Sequence, residues 1–246
     1  MLRLFNADMN RTLRSPAFWF FCLAGAAIAV LLILFTVPQV NETGPVAWVK
    51  AEGGMISAVA NMWLLQVGLF SLFSQDFKSK IHQAAIGNGI SRAKIVLAKY
   101  LETIAVSAIC LMVIYGAATA VRLLNGVSLT GPQEMDVFLH VLSTLVHLSG
   151  LFAVLMLPLF LFQNLAVSAL IGLVLGFDMI SSLLRIIQDA LNADLLKYEF
   201  VHNLQMVTNG VTTGNIAVFP IIMVFVYAAV CIGLGILFFQ KKELEF

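Results

Sequence analysis

The chain has 246 residues, of which 61% are hydrophobic and only 11% are charged. A soluble domain is about half apolar and a quarter charged, so this composition indicates a membrane protein. The 14 Lys and Arg nearly balance the 13 Asp and Glu, and the net charge of +1 excludes the broadly basic surface of a nucleic-acid-binding protein.

The first 15 residues predict an amphipathic helix at the membrane surface. One face carries Leu2, Phe5, Met9 and Leu13, and the other carries Arg3, Asn10, Arg11 and Arg14. Such a helix anchors the chain on anionic lipid, or acts as an elbow leading into the first span at Ser15-Pro16. The two roles are compatible.

Uninterrupted apolar stretches predict an all-α membrane protein with six transmembrane helices in a single domain, residues 1–246. The predicted spans are approximately 17–38, 56–74, 95–121, 137–162, 165–187 and 216–239. Only Gln163 and Asn164 separate the fourth and fifth stretches. We predict a tight helical hairpin there, because one helix of about fifty residues would overshoot any bilayer.

Lys and Arg collect on one side of this topology. With the amino terminus inside, ten fall on the cytoplasmic side and four outside, which predicts that both termini are cytoplasmic. The outer four are Lys50, Arg122, Arg185 and Lys197. The three cysteines, Cys22, Cys110 and Cys231, all fall in apolar runs, where small buried hydrophobes are expected instead of a disulfide framework.

The basic loop between the second and third spans is the most informative segment. Phe77, Ile81, Ala84 and Ala85 recur at helical spacing, and Gly87-Asn88-Gly89 supplies a helix stop and a turn. The pattern predicts a short amphipathic helix over 76–87, parallel to the membrane, with Ser91 placed to cap the third span. From the residues alone, a solvated connector is an equal alternative.

This loop resembles that of ABC type-2 exporter permeases. There an acidic-aromatic pair, here Asp76-Phe77, begins a short helix, and a Gly-x-Ser-Arg turn, here Gly89-Ile90-Ser91-Arg92, leads into the third span. The resemblance includes an elbow-like segment over Leu4 to Ser15, six spans and the tail from Gln240 to Phe246, whereas Lys78-Ser79-Lys80 replaces the family's usual glycine. In that family the loop helix is the coupling helix, which docks on the ATP-binding subunit. The docking residues implied are Asp76, Phe77, Lys78, Lys80, Ile81, Ala84, Ala85 and Arg92.

The resemblance implies the permease subunit of an ATP-driven exporter in a bacterial plasma membrane. Short loops make the chain most similar to small permeases of peptide export and of self-protection against antimicrobial peptides. The implied partners are ATP-binding cassette subunits, membrane lipid and a second permease copy or paralogue. The cargo would be a hydrophobic or amphipathic peptide, lipid or drug. The chain lacks a Gly-x-x-x-x-Gly-Lys-Ser/Thr loop, so ATP and Mg would be bound by the partner subunits and the chain itself would have no catalytic residues or cofactor.

Polar residues within spans are costly and are therefore candidates for function. Asp178 in the fifth span and His147 in the fourth lie at similar predicted depth and could pair, whereas hydrogen bonding of Asp178 to Ser181, Ser182 or Arg185 is the alternative. Gln66, mid-depth in the second span, could bridge helices or face a cavity. We take Gln66, His147 and Asp178 as candidate substrate-path residues. His140 and His147 lack a third ligand at suitable spacing, so no metal site is predicted.

Two other segments have more than one interpretation. Glu102 follows Lys99 by three positions, which favours an ion pair within one helix. The segment 188–215 is too polar to span and predicts a short helix on the outer surface or dipping into it, or a plain connector.

Two other functional classes remain open from the sequence. One is an ATP-independent oligomeric channel or secondary carrier, which broken helices and several ionisable groups facing one cavity would favour. The other is a structural subunit of a larger membrane complex.

Overall fold

The computed structural model describes residues 2–41, 45–61, 85–191, 194–215 and 217–241. Every regular element in these ranges is helical. The helices are α1 (Leu2–Arg14), α2 (Pro16–Asn41), α3 (Pro45–Val59), α4 (Arg92–Leu124), α5 (Gly131–Phe162), α6 (Leu165–Gly176), α7 (Met179–Leu191), α8 (Phe200–Thr213) and α9 (Val218–Lys241), with a 3-10 turn at Leu196–Tyr198.

Four of these helices, α2, α4, α5 and α9, are long and apolar enough to cross a membrane. Their outer faces carry large apolar side chains, such as Phe35 at 78% exposure and Phe225 at 71%. Water does not stabilise so much exposed apolar surface, whereas lipid does. The predicted span over 56–74 lies mainly outside the described residues, with helical backbone continuing from α3 through residue 61.

The predicted break between the fourth and fifth spans is confirmed. Helix α5 ends at Phe162, and the next residue, Gln163, has a left-handed φ of 51°. Asn164 then caps α6, because its side-chain oxygen accepts a hydrogen bond of 2.9 Å from the Ala166 backbone N–H. A left-handed residue followed by a new amino-terminal cap makes a tight turn between the two helices.

The predicted fifth span over 165–187 is not one straight helix, although the two helices that form it are together apolar and long enough for a broken span or a re-entrant loop. The chain forms α6 and α7 instead, which are bent by 50° at Phe177 and Asp178. Asp178 has a left-handed φ of 56°, which interrupts the helix. Aspartate is among the few residues that tolerate this conformation. Asp178 therefore lies at the break, and its backbone conformation produces the break.

Helix α5 is the centre of the bundle. It packs against α3, α4, α6, α8 and α9, and its residues Leu148, Leu151 and Phe152 are fully buried. Helices α1 and α2 pack against α4, and α2 also contacts α3. Gly235 of α9 lets that helix approach α5 closely, because a Cβ at this position would lie 3.4 Å from the Met156 carbonyl oxygen.

The prediction that the cysteines are separate small hydrophobes is wrong for two of the three. Cys22 on α2 and Cys110 on α4 form a disulfide, with their Cα atoms 5.2 Å apart, whereas Cys231 is free. Both partners are buried in the core. Two cysteines 88 positions apart give no spacing signal, so only the packing of α2 on α4 reveals the pair.

Candidate functional site

A polar cavity of about 230 Å³ lies inside the bundle, between α3, α5 and α8. The α3 side contributes Ser57 and Asn61, and the end of α6 contributes Gly176. Helix α5 contributes His140, Ser143, Thr144 and His147. Helix α8 contributes Val201, Gln205, Thr208, Asn209 and Thr212.

Hydroxyl groups on α3 and α5 form one connected chain at the cavity wall. Ser143 and Thr144 donate hydrogen bonds to the His140 carbonyl at 2.8 and 2.7 Å. Since the Thr144 proton is used there, the 2.8 Å contact between Ser57 and Thr144 has Ser57 as its donor. The chain ties α3 to α5 beside the cavity.

His140 is held in a defined orientation. Its Nδ1 lies 2.8 Å from the Asp136 carbonyl oxygen, which can only accept, so Nδ1 carries the proton. In the neutral ring, Nε2 is then an acceptor. The ring also packs against Gly53 of α3, where an added Cβ would lie 2.7 Å from the His140 Cγ.

Gly53→Ala is expected to lower the free energy of unfolding by about 1–3 kcal/mol, because the new methyl must displace the His140 ring and break its contact with Asp136. Gly54→Ala is the matched control, since a Cβ there meets nothing within 4 Å. An alanine in a helix interior is favoured over glycine, so the control should be neutral or slightly stabilising. Thermal unfolding of both purified variants in detergent measures the difference. Equal free energies of unfolding of the two variants would contradict the close approach of Gly53 to the His140 ring.

The structure brings two of the three predicted substrate-path residues together. His147 lines the cavity, and Asp178, at the break between α6 and α7, is close enough to act on it electrostatically. The Oδ1 atom of Asp178 is buried and has no hydrogen-bond partner among the described residues. Ser181, the alternative partner, donates instead to Glu199 at 2.8 Å. Gln66 lies outside the described residues.

Glu199 positions the cavity wall that α8 provides. As the amino-terminal cap of α8, its carboxylate accepts hydrogen bonds from the backbone N–H groups of Val201 and His202 at 2.9 and 2.5 Å. Leu204 then packs into a gap at Gly150, near the middle of α5. The segment 188–215 therefore places a helix inside the bundle, and no local pattern singles out Glu199 as the residue that holds it.

Most of the predicted docking residues, from Asp76 to Ala84, lie outside the described residues. Residues 85–87 are helical, and Gly89 follows in a turn with φ of 80°, as predicted. Ser91 occupies the cap position of α4, but its side chain makes no capping hydrogen bond.

Arg92 donates hydrogen bonds of 2.5 and 2.8 Å to the carbonyls of Phe239 and Gln240. It thereby joins the start of α4 to the end of α9, where carbonyl groups favour a cation.

Two buried ion clusters tie the helices at opposite ends of α4. At one end, the Lys99 ammonium lies 2.9 Å from Asp8 of α1 and 2.8 Å from Glu102, which confirms the predicted pair within α4. At the other end, the Arg122 Nε lies 2.9 Å from Glu52 of α3 and its Nη1 lies 2.7 Å from Glu134 of α5. The Nε contact has ion-pair distance without hydrogen-bond alignment. Sequence analysis found neither Asp8 nor Glu52.

No protein-family model matches the chain, and no curated protein matches it.

Proposed function

We propose that this chain is the membrane-spanning permease subunit of an ATP-driven exporter that moves a hydrophobic or amphipathic cargo. The observation that carries the proposal is the polar cavity, which is partly open and lies between helices whose outer faces are apolar. Polar groups in a membrane-embedded bundle are costly, and those that line a cavity typically mark a path for a solute. Sequence resemblance to ABC type-2 exporter permeases supports the ATP-driven class.

In this proposal the chain forms six spans, with the second completed by residues 62–74. The loop preceding α4 docks on a separate ATP-binding subunit at the cytoplasmic side, and α1 serves as the elbow. A second copy of the chain or a similar permease completes the transporter. No covalent chemistry occurs in this subunit.

The contacts at the start of α4 suggest how motion would be transmitted. Lys99 and Glu102 link α4 to α1, and Arg92 links α4 to α9. A displacement of the docking loop would therefore move three helices together. The bend at Asp178 offers a hinge between α6 and α7, at which the cavity could open toward the other side. ATP binding drives such a change only through contacts that differ between the two states.

Phe77→Ala with Ile81→Ala should abolish recovery of an ATPase subunit in affinity purification from native membranes. Phe77 and Ile81 are the large apolar residues of the proposed docking helix, and removing a central apolar anchor typically costs several kcal/mol of binding. Mass spectrometry of the co-purified proteins measures the loss. The control is Ile222→Ala with Phe225→Ala, which removes similar groups from the exposed face of α9. Recovery of the chain alone from wild type and mutant would contradict the proposal.

A secondary carrier is the second candidate, because the α6–α7 break lies beside a cavity that two histidines face. Broken helices near ionisable groups are typical of ion-coupled carriers. Under this alternative, Asp178→Asn should abolish proton-gradient-driven uptake or efflux in proteoliposomes containing the chain alone, since the Asn side chain cannot exchange a proton. Transport that requires ATP and an added ATPase subunit would exclude it.

A further inference from the structure

The hydroxyl protons of the cavity wall are all used within the wall. Of its hydroxyls, Ser143 and Thr144 donate to the His140 carbonyl, Thr208 donates to the Gln205 carbonyl and Thr212 donates to the Asn209 carbonyl. The Ser57 proton is taken up by Thr144. Each of the five protons is thus used within the wall, and the oxygen lone pairs remain for a ligand.

One further acceptor in the cavity wall has no donor. The Oδ1 atom of Asn61, which lines the cavity, is buried and has no hydrogen-bond partner among the described residues. A buried acceptor without a donor costs free energy, so such atoms commonly mark the position of a ligand or water.

None of the described residues that line the cavity is Lys, Arg, Asp or Glu. Asp178 follows the lining residue Gly176 by two positions, and its Oδ1 atom is buried without a hydrogen-bond partner among the described residues. A phosphate or carboxylate ligand would meet no Lys or Arg among the described lining residues, and these are its strongest partners. An ammonium group instead suits neutral oxygen lone pairs beside a carboxylate, since it carries three donors and no acceptor.

We propose that the cavity binds a primary ammonium group of the cargo. A volume of about 230 Å³ is smaller than a drug-sized pocket. The cavity would therefore hold an amine-bearing end of an amphipathic molecule, with the apolar remainder along the lipid-facing helices. This inference rests on the proposed transport function and names the chemistry that its cargo carries.

The test uses the full chain in lipid nanodiscs, without an ATPase subunit, and hexylammonium as the probe. Hexyltrimethylammonium has the same charge but no N–H donor, and hexanol has one donor and no charge. We expect saturable binding of hexylammonium and binding at least tenfold weaker for both analogues. Equal binding of the three would overturn the proposal, as would an absence of saturable binding of hexylammonium.

Thr212→Val and Thr213→Val are a matched pair of variants. Both hydroxyls donate to the Asn209 carbonyl at 2.8 Å, but only Thr212 lines the cavity. Hydrogen bonds to charged groups are the stronger ones, so Thr212→Val should weaken hexylammonium binding about tenfold, while Thr213→Val should leave it unchanged. Equal affinities in the two variants would overturn the proposal.

Thermal unfolding in the same nanodiscs shows that both variants are folded. Partition of hexylammonium into the lipid is the same for both variants, so it does not affect the comparison of their affinities. Since this binding needs no partner, its failure is distinct from failure of the co-purification that tests the exporter.

Discussion

Lys99→Met is expected to lower the free energy of unfolding by about 3–5 kcal/mol, because it leaves the buried carboxylate of Glu102 without its cation and leaves Asp8 with Arg11 at 3.5 Å. The Lys99 side chain is 2% exposed and lies between Asp8 at 9% and Glu102 at 0%. Methionine fills similar volume, so the loss reports on charge and not on a cavity. Reversible unfolding of the purified chain in detergent measures the change.

The control for this prediction is Lys94→Met, five residues earlier on the same helix. Lys94 is exposed, and substitutions at such positions usually change stability by less than about 0.5 kcal/mol. Adding Asp8→Asn and Glu102→Gln to Lys99→Met should recover part of the lost free energy of unfolding, since these changes remove the carboxylate charges that Lys99 neutralised. If Lys99→Met and Lys94→Met are equally stable, the buried cluster does not hold α1 on α4.

Local patterns in the sequence predicted those features that depend on neighbouring residues. Long apolar runs gave α2, α4, α5 and α9, and the pair Gln163-Asn164 gave the break between α5 and α6. The Lys99–Glu102 ion pair follows from a spacing of three on one helix. Each of these depends on residues within one helix or one turn, so no knowledge of the packing between helices is needed.

Features that join distant segments could not be predicted in this way. Thr12 and Glu102, which are hydrogen bonded at 2.9 Å, are 90 positions apart, and nothing in their local patterns connects them. The bend at Asp178 was missed because an apolar run has the same composition whether its helix is straight or broken. His147 and Asp178 were paired by counting depth, but the cavity beside them needs α3 and α8 as well.

Arg122→Met should destabilise the protein by about 3–5 kcal/mol, because Glu52 would remain buried without its cation. The side chains of Arg122 and Glu52 are both 0% exposed, and they join α4 to α3. The control is Glu134→Gln, which alters the other partner of the same arginine. Glu134 is 39% exposed, so solvent already screens its charge, and the expected loss is below about 1 kcal/mol.

The dependence of the Arg122→Met defect on pH separates lost charge from lost packing. Burial raises the pKa of Glu52 above its usual range, and the Arg122 guanidinium opposes that rise. Without Arg122, the folded state should hold the Glu52 proton more tightly than the unfolded chain does. Stability of the variant is then highest below the unfolded pKa of Glu52 and falls as the pH rises through the folded value. The free energy of unfolding of the variant should therefore lie below that of wild type, and the difference between the two should decrease as the pH is lowered from 8 to about 5. A deficit independent of pH would mean that Arg122 acts through its packing alone.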